Sequence, residues 1–134
     1  MNCLKRFGDP VKNEAKHMGM FKLHDNPRLK AVPKKVYCNH ILIPALRKAM
    51  ANIAAKGIEA QVVSWDGCFN IRNKRSGSSA SLHSWGMAVD INAASNAYGE
   101  PPTMSEELVE CFTDAGFEWG GVWKKPDGMH FQLA

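Results

Sequence analysis

The sequence predicts an α+β fold in which an antiparallel β-sheet is flanked by helices. Two segments have the apolar period of amphipathic helices, others alternate as strands do, and no regular βαβ repeat indicates a parallel sheet. The length of 134 residues suits one hydrophobic core. We therefore expect a single domain over residues 1–134, with a basic, loop-rich segment at 1–35 and the core region at 36–134.

Two helices are expected. The first covers residues 43–56 and ends at Gly57, a residue that favours helix termination. Its apolar positions form one helical stripe: Leu46, Ala49, Met50 and Ile53. The second covers "SEELVECFTDA", and the pair Thr103 and Glu106 has the spacing of a capping box at its start.

Three segments are expected to be strands. "IEAQVVSW", residues 58–65, is typical of a buried strand, and residues 87–92 alternate as a half-buried strand does. The tail "MHFQLA" alternates again, with Phe131 on one side and His130 on the other. Residues 1–38 are punctuated by "GDP", "DNP" and "VPKK", so loops with short helical pieces are expected there.

The charge distribution narrows the classes of partner. Residues 1–35 contain nine Lys and Arg against three Asp and Glu, whereas the remaining chain contains eight against ten. A basic segment attracts anionic polymers such as nucleic acid or a bacterial cell wall, although a solvated surface has the same composition. No aromatic-interleaved basic motif indicates nucleic acid, and no apolar run has the length of a signal peptide or membrane span.

The stretch "SLHSWGMAVDIN", residues 81–92, contains the first candidate site. Asp90 lies on the side of the predicted strand away from its apolar residues, and His83 precedes it by seven positions. Gly86 argues against a helix between them. We expect a bend that carries His83 back over the strand face bearing Asp90.

His130 joins this pair as a third candidate ligand, because it too lies opposite the apolar residues of its strand. Two imidazoles and one carboxylate suit one zinc ion, and three protein ligands leave the open coordination position of a catalytic site. Asp127, three residues before His130, is the candidate acid and base. Spacing alone leaves open that each histidine is structural.

Other chemistries are less well supported. A hydrolase triad of Ser81, His83 and Asp90 lacks a nucleophile elbow, and a cysteine mechanism at Cys68 has no better support. The four cysteines form no CxxC pair, so we interpret them as reduced packing residues. A non-enzymatic zinc domain is a stronger alternative to the zinc enzyme than either of these two mechanisms.

"SLHSWGMAVDIN" together with "GFEWGGVWKKPDGMHFQ" resembles the D-alanyl-D-alanine carboxypeptidase (VanY-like) family of zinc peptidases. That family includes phage endolysin L-alanyl-D-glutamate endopeptidases and shares its fold with the Hedgehog signalling domain. The resemblance extends over about residues 65–134 and includes the pattern Ser-x-His-x6-Asp, followed by an acidic residue three places before a second His.

The resemblance implies a Hedgehog/DD-peptidase-like fold and a role for each matched residue. His83, Asp90 and His130 would bind zinc, and Asp127 would be the catalytic acid and base. Arg72 would stabilise the oxyanion of a tetrahedral intermediate. Arg72 and Ser81 match positions that the family uses around the substrate, and for Ser81 the alternative of orienting His83 stays open.

The resemblance further implies a zinc-dependent hydrolase of the peptidoglycan stem peptide. An endolysin-type L-alanyl-D-glutamate endopeptidase is favoured. A D-alanyl-D-alanine carboxypeptidase and a non-catalytic, Hedgehog-like or virion zinc module are the alternatives. We expect a monomer without membrane insertion or nucleic-acid partner, made in the cytoplasm without a signal peptide and released to the cell wall through a holin-formed opening.

Overall fold

A computed structural model describes residues 2–23, 26–74, 77 and 79–133. It confirms the α+β class, since antiparallel sheets are flanked by helices. The helices of the described chain are α1 (Cys3–Phe7), α2 (Glu14–His17), α3 (Leu42–Lys56) and α4 (Glu106–Thr113). Its strands are β1 (Met18–Lys22), β2 (Lys35–Asn39), β3 (Trp65–Gly67), β4 (Ala88–Ile91), β5 (Glu118–Trp119) and β6 (His130–Gln132).

The larger sheet has four antiparallel strands in the order β3-β4-β6-β5. β4 is an inner strand, and all four of its residues are buried. The expectation of a half-buried strand was therefore wrong, because the side chains on both faces of β4 are buried rather than those on one face alone. Its register with β6 sets Asp90 directly opposite His130.

α3 supplies the central part of the main core. The predicted stripe is buried, with Leu46, Ala49 and Ile53 fully inaccessible, and Gly57 ends the helix in the left-handed conformation as expected. α4 packs beside α3, where the Asn52 side chain donates a hydrogen bond to the carbonyl of Cys111 over 3.0 Å. No helix of the described residues is long and apolar enough to cross a bilayer.

The N-terminal segment is more regular than expected. β1 and β2 pair in antiparallel register, a hairpin that the sequence analysis missed. Phe21 and Leu29 are almost completely buried in the same core as α3. α1 reaches the loop before β4, because the carbonyl of Gly8 accepts a hydrogen bond from the indole of Trp85 over 2.8 Å. This segment therefore supports the part of the chain that carries His83.

Two local predictions were wrong. Residues 58–65 form a strand only at their end, because Glu59–Gln61 is a short 3₁₀ helix and the following amides donate to the Asn92 side chain. Helix α4 is capped by Ser105, whose Oγ accepts from the Leu108 amide, rather than by Thr103. Ser105 occupies the position directly before the helix, where a side-chain oxygen reaches the first free amides.

Gly86 and Gly57 provide a matched test of the turn before β4. Both have a φ of +65°, but a Cβ on Gly86 would lie 2.6 Å from the Asn39 amide nitrogen, whereas one on Gly57 would meet nothing within 4 Å. We expect Gly57→Ala to cost about 1–2 kcal/mol for its left-handed backbone alone. Gly86→Ala should cost about 1–3 kcal/mol more for the steric displacement.

The measurement is the free energy of unfolding of both variants in urea, without added metal. Equal losses for the two alanine variants would show that the close approach of the Gly86 turn to Asn39 does not constrain the fold.

Candidate metal centre and its cleft

His83 is positioned by a short 3₁₀ helix, Leu82–Trp85, which leads into β4. Ser81 caps this helix, since its Oγ accepts a hydrogen bond from the His83 amide over 3.3 Å. Gly86 then reverses the chain in the left-handed conformation. The expected bend is therefore present, and it places the His83 imidazole over the strand that carries Asp90.

Three of the predicted site residues meet at one point. His83 Nε2 lies 3.2 Å from Asp90 Oδ2 and 3.2 Å from His130 Nδ1. His130 Nδ1 lies 3.3 Å from Asp90 Oδ1. All three residues are buried, with less than a tenth of each exposed. The three side chains come from two strands and the preceding turn, so only the folded chain assembles them.

Hydrogen bonds outside the cluster set which nitrogen of each histidine faces inward. His83 Nδ1 lies 2.7 Å from the carbonyl of Cys68, which can only accept, so Nδ1 carries a proton. The other nitrogen, Nε2, faces Asp90, with a lone pair in the neutral ring and a donating N–H in the imidazolium. His130 Nε2 lies 2.9 Å from Gln132 Oε1, so the same reasoning places His130 Nδ1 on the inward side. Both rings are oriented as metal ligands require.

The separations fit a zinc ion. Ligand atoms bound to zinc at about 2.0–2.1 Å in a tetrahedron lie about 3.3–3.4 Å from one another. His83 Nε2 and His130 Nδ1 lie 3.2 Å apart, and each lies 3.2–3.3 Å from one of the two oxygens of the Asp90 carboxylate. One ligand atom from each residue can be chosen so that all three lie within 4.8 Å of one another. Two nitrogens and one carboxylate are also a donor set that zinc accepts. The residues present therefore suit one zinc ion, and the donors that would hold it are His83, Asp90 and His130.

The cluster is strongly coupled electrostatically in the absence of metal. Burial favours the neutral form of Asp90, but hydrogen bonds from His130 and His83 outweigh it and hold the pKa of this carboxyl well below its usual range. Burial also opposes protonation of His130, yet the Asp90 carboxylate raises the pKa of His130 above its ordinary value. Asp90 is therefore an anion that attracts one positive charge.

The cluster opens into a cleft of about 450 Å³. Asp127 and His130 line it, and Asp127 Oδ2 lies 4.0 Å from His130 Nδ1. Arg72 and Ser81 line the same cleft. The structure thus brings Asp127, Arg72 and Ser81 to the cleft that the candidate ligand His130 lines, and their chemical roles remain predictions.

The backbone around Arg72 is tied to the segment that carries His83. The Arg72 amide donates to Ser84 Oγ over 3.1 Å, and the Arg72 carbonyl accepts from both the Ser84 hydroxyl and the Ser81 amide. The guanidinium itself donates to the carbonyl of Asn73 over 3.2 Å and is partly exposed. These contacts fix where the Arg72 side chain enters the cleft.

The aromatic residues divide between cleft and core. Trp123 lines the cleft, and its ring lies 5.4 Å from that of His130. Trp85 is buried in a small second cluster, and Trp119 stacks on Phe131 of the main core. His17, His24 and His40 have no spacing to a partner residue in the sequence, which predicts surface or structural roles. Of these, His17 is buried and His40 is exposed. His24, Arg75, Ser76 and Ser78 lie outside the described residues.

Two supporting groups were missed by the sequence analysis. Gln132 lies two residues after His130 on the same side of β6, and this spacing was the available signal. The Cys68 carbonyl is a backbone group and left no signal in the sequence. Both fix a histidine ring of the candidate site.

The geometry disfavours the two nucleophilic alternatives. Ser81 Oγ accepts from the amide of His83 rather than contacting its ring, so the triad has no base at its serine. The hydrogen bond with Cys38 and burial raise the pKa of the Cys68 thiol well above its ordinary value, which suppresses the thiolate that a nucleophile needs.

Comparison with known proteins gives one match. A family model described as D-alanyl-D-alanine carboxypeptidase matches residues 74–133, which include Ser81 and Asp127 as well as the three candidate ligands. Arg72 lies two residues before the matched segment, which is shorter than the region of resemblance at 65–134. No curated protein and no solved structure matches the chain.

The contact from Gln132 predicts a measurable effect on metal binding. Gln132→Ala removes the acceptor that orients His130, and loss of such partners lowers metal affinity by about 10–100-fold. Gln132→Glu retains an acceptor and should bind nearly as the parent protein does. Zinc affinity is measured by competition with a chromophoric chelator. Exposed His40 provides the control His40→Ala, and equal affinities for Gln132→Ala and this control would contradict the assignment.

The raised pKa of His130 predicts that zinc competes with a proton. Below that pKa His130 is protonated, so the ion must displace the proton, and affinity should fall as the pH decreases through the pKa. Calorimetry in buffers of different ionisation enthalpy, between about pH 6 and 8, should show proton release on zinc binding. Affinity that does not change over this range, with no proton released, would contradict the coupling.

Proposed function

We propose, on the match of residues 74–133 to a family model described as D-alanyl-D-alanine carboxypeptidase, that this protein is a zinc peptidase that hydrolyses peptide bonds of bacterial peptidoglycan. The observation that carries the proposal is the buried cluster of His83, Asp90 and His130 at the base of an open cleft. Of the activities in this class, we favour an endolysin-type L-alanyl-D-glutamate endopeptidase.

His83, Asp90 and His130 would hold the ion. Zinc bound there would polarise the scissile carbonyl and increase the acidity of water at neutral pH. The protein contributes a rigid donor set, because each imidazole is anchored through its other nitrogen, to the Cys68 carbonyl or to Gln132. Few rearrangements are therefore needed when substrate enters.

Asp127 is the proposed acid and base. Its carboxylate oxygen, 4.0 Å from His130 Nδ1, lies at the edge of the donor cluster and faces the cleft. From there Oδ2 would accept a proton from the attacking water and deliver it to the leaving amine. The position is fixed by the backbone, since the Asp127 amide donates to Gly120 and its carbonyl accepts from the His130 amide.

Arg72 and Ser81 are proposed to act on the substrate side of the cleft. A guanidinium keeps its charge at all relevant pH values, so Arg72 would stabilise negative charge as it develops on the carbonyl oxygen. Ser81 has a structural contact, the cap on the His83 helix, and its position in the cleft wall also allows a hydrogen bond to substrate. Its two roles are compatible.

Two other functions are alternatives to the endopeptidase. The description of the matching family favours trimming of a terminal D-alanine, a carboxypeptidase reaction at the same site. A non-catalytic Hedgehog-like or virion zinc module would use the ion for folding alone. The carboxylate of Asp127 beside the ligands argues against such a module, because a purely structural site has no use for a base there.

Asp127→Asn tests the mechanism. The amide has the same shape but no basic oxygen, so we expect zinc content and fold to be retained while hydrolysis of purified cell walls falls by about 10²–10⁴-fold. Exposed Asp114 provides the matched control Asp114→Asn, which should keep full activity. An Asp127→Asn protein that still degrades walls at the parental rate would remove Asp127 from the mechanism.

The products of the same digestion identify the bond that is cut. Mass spectrometry showing new free amines on D-glutamate supports the endopeptidase, whereas loss of single alanines supports the carboxypeptidase. Walls left intact by zinc-loaded protein would support the non-catalytic module.

A further inference from the structure

The wall of the candidate cleft is strongly cationic. Among the described residues that line it, the side chains with a permanent positive charge are Arg72, Lys74, Lys124 and Lys125. Asp127 is the single carboxylate among those described lining residues. The chain outside residues 1–35 has a small excess of acidic residues, so the positive charge here is a local concentration.

The lysines of this wall form no ion pair with a carboxylate of the described residues. Among the described residues, no carboxylate oxygen lies within 4.0 Å of the ammonium groups of Lys74, Lys124 or Lys125. Like charges around one concave surface repel one another and raise the local potential, which favours binding of an anion. Stability of the fold gives no reason for this arrangement, whereas an anionic ligand does.

Lys125 is exposed, but contacts with neighbouring residues hold its side chain at the cleft. Its ammonium lies 4.8 Å from the centre of the Tyr98 ring, a cation–π contact. Its aliphatic stem passes over Gly99, where an added Cβ would lie only 3.3 Å from Lys125 Cε. The Gly99 amide donates a hydrogen bond over 2.7 Å to the carbonyl of Pro126, the residue that follows Lys125. These contacts hold one cation in the wall of the cleft that His130 also lines.

We propose that Lys124 and Lys125, together with Lys74, recognise an ionised carboxylate that lies next to the scissile bond. The substrate class is then a stem peptide whose γ-linked glutamate keeps a free α-carboxylate, and the amidated form of the same residue is disfavoured. The inference rests on the proposed function, because it assumes a stem peptide in this cleft. Acid and amide are nearly equal in size, so they differ in charge and in hydrogen-bonding groups, and ammonium donors favour the acid because it only accepts.

The test uses two synthetic stem peptides that differ only in whether the α-carboxyl of the γ-linked glutamate is a free acid or an amide. Their dissociation constants are measured by calorimetry on the zinc-loaded Asp127→Asn protein, which binds without turnover. We expect the acid to bind about tenfold more tightly, as for one charge-assisted contact. Equal affinities, or no measurable binding of either peptide, would overturn the proposal.

Substitution of the lysines tests whether they cause the preference for the acid peptide. Lys124→Gln combined with Lys125→Gln, in the same Asp127→Asn background, should bring the acid-to-amide ratio of affinities close to one. Lys48, an exposed lysine on α3, provides the control Lys48→Gln, which should keep the full ratio. A ratio unchanged by the double substitution would also overturn the proposal, since a purely structural role of these lysines would weaken both peptides alike.

Binding and cleavage separate this inference from the proposed function. A protein that prefers the acid peptide in binding supports the inference even if the parent enzyme cleaves neither peptide, an outcome that would count against the hydrolase alone. A parent enzyme that cleaves both peptides at equal kcat/KM, with equal binding, supports the hydrolase and overturns the inference.

Discussion

The pairing of β4 with β6 is the interaction on which the rest of the site depends. Their antiparallel register sets Asp90 opposite His130, and the Gly86 turn returns His83 to the same point. A slip of one residue between the strands would move one of these two candidate ligands to the other side of the sheet. The buried core around β4 therefore has a chemical consequence, because it holds this register.

The cluster is costly to build without a positive charge in it. An ionised carboxylate that is largely withdrawn from water must be compensated, and here the compensation comes from two imidazoles that are themselves anchored from outside. The anchors orient both rings before any ion arrives. Because of this preorganisation, metal binding need not reshape the site. Gln132 contributes to it by orienting the His130 ring, although it has no catalytic role of its own.

The cleft combines two electrostatic environments that serve different purposes. At its base, paired charges are buried and fixed. Along its wall, lysines face solvent without carboxylate partners among the described residues. The first arrangement suits one small cation, and the second suits an anion of the substrate, so the same opening can distinguish ligands by charge. The buried charged cluster and the lysines of the wall therefore lie in different parts of one cleft.

Residue chemistry and local period were enough to determine much of this protein. The α3 stripe, its end at Gly57 and the α+β class could be predicted, because helix burial and left-handed turns follow from residue type and near spacing. The same chemistry named His83, Asp90 and His130 as candidate ligands, and metal binding by them stays a prediction. Only the tertiary structure decided the β1–β2 hairpin, the short β3 and the Ser105 cap, because each depends on partners distant in the chain or on competition between neighbouring side chains. The contact of the Cys68 carbonyl with His83 and the convergence of the lysines could not be predicted from the sequence for the same reason. Long-range packing brings these backbone groups and surface charges together without a local pattern.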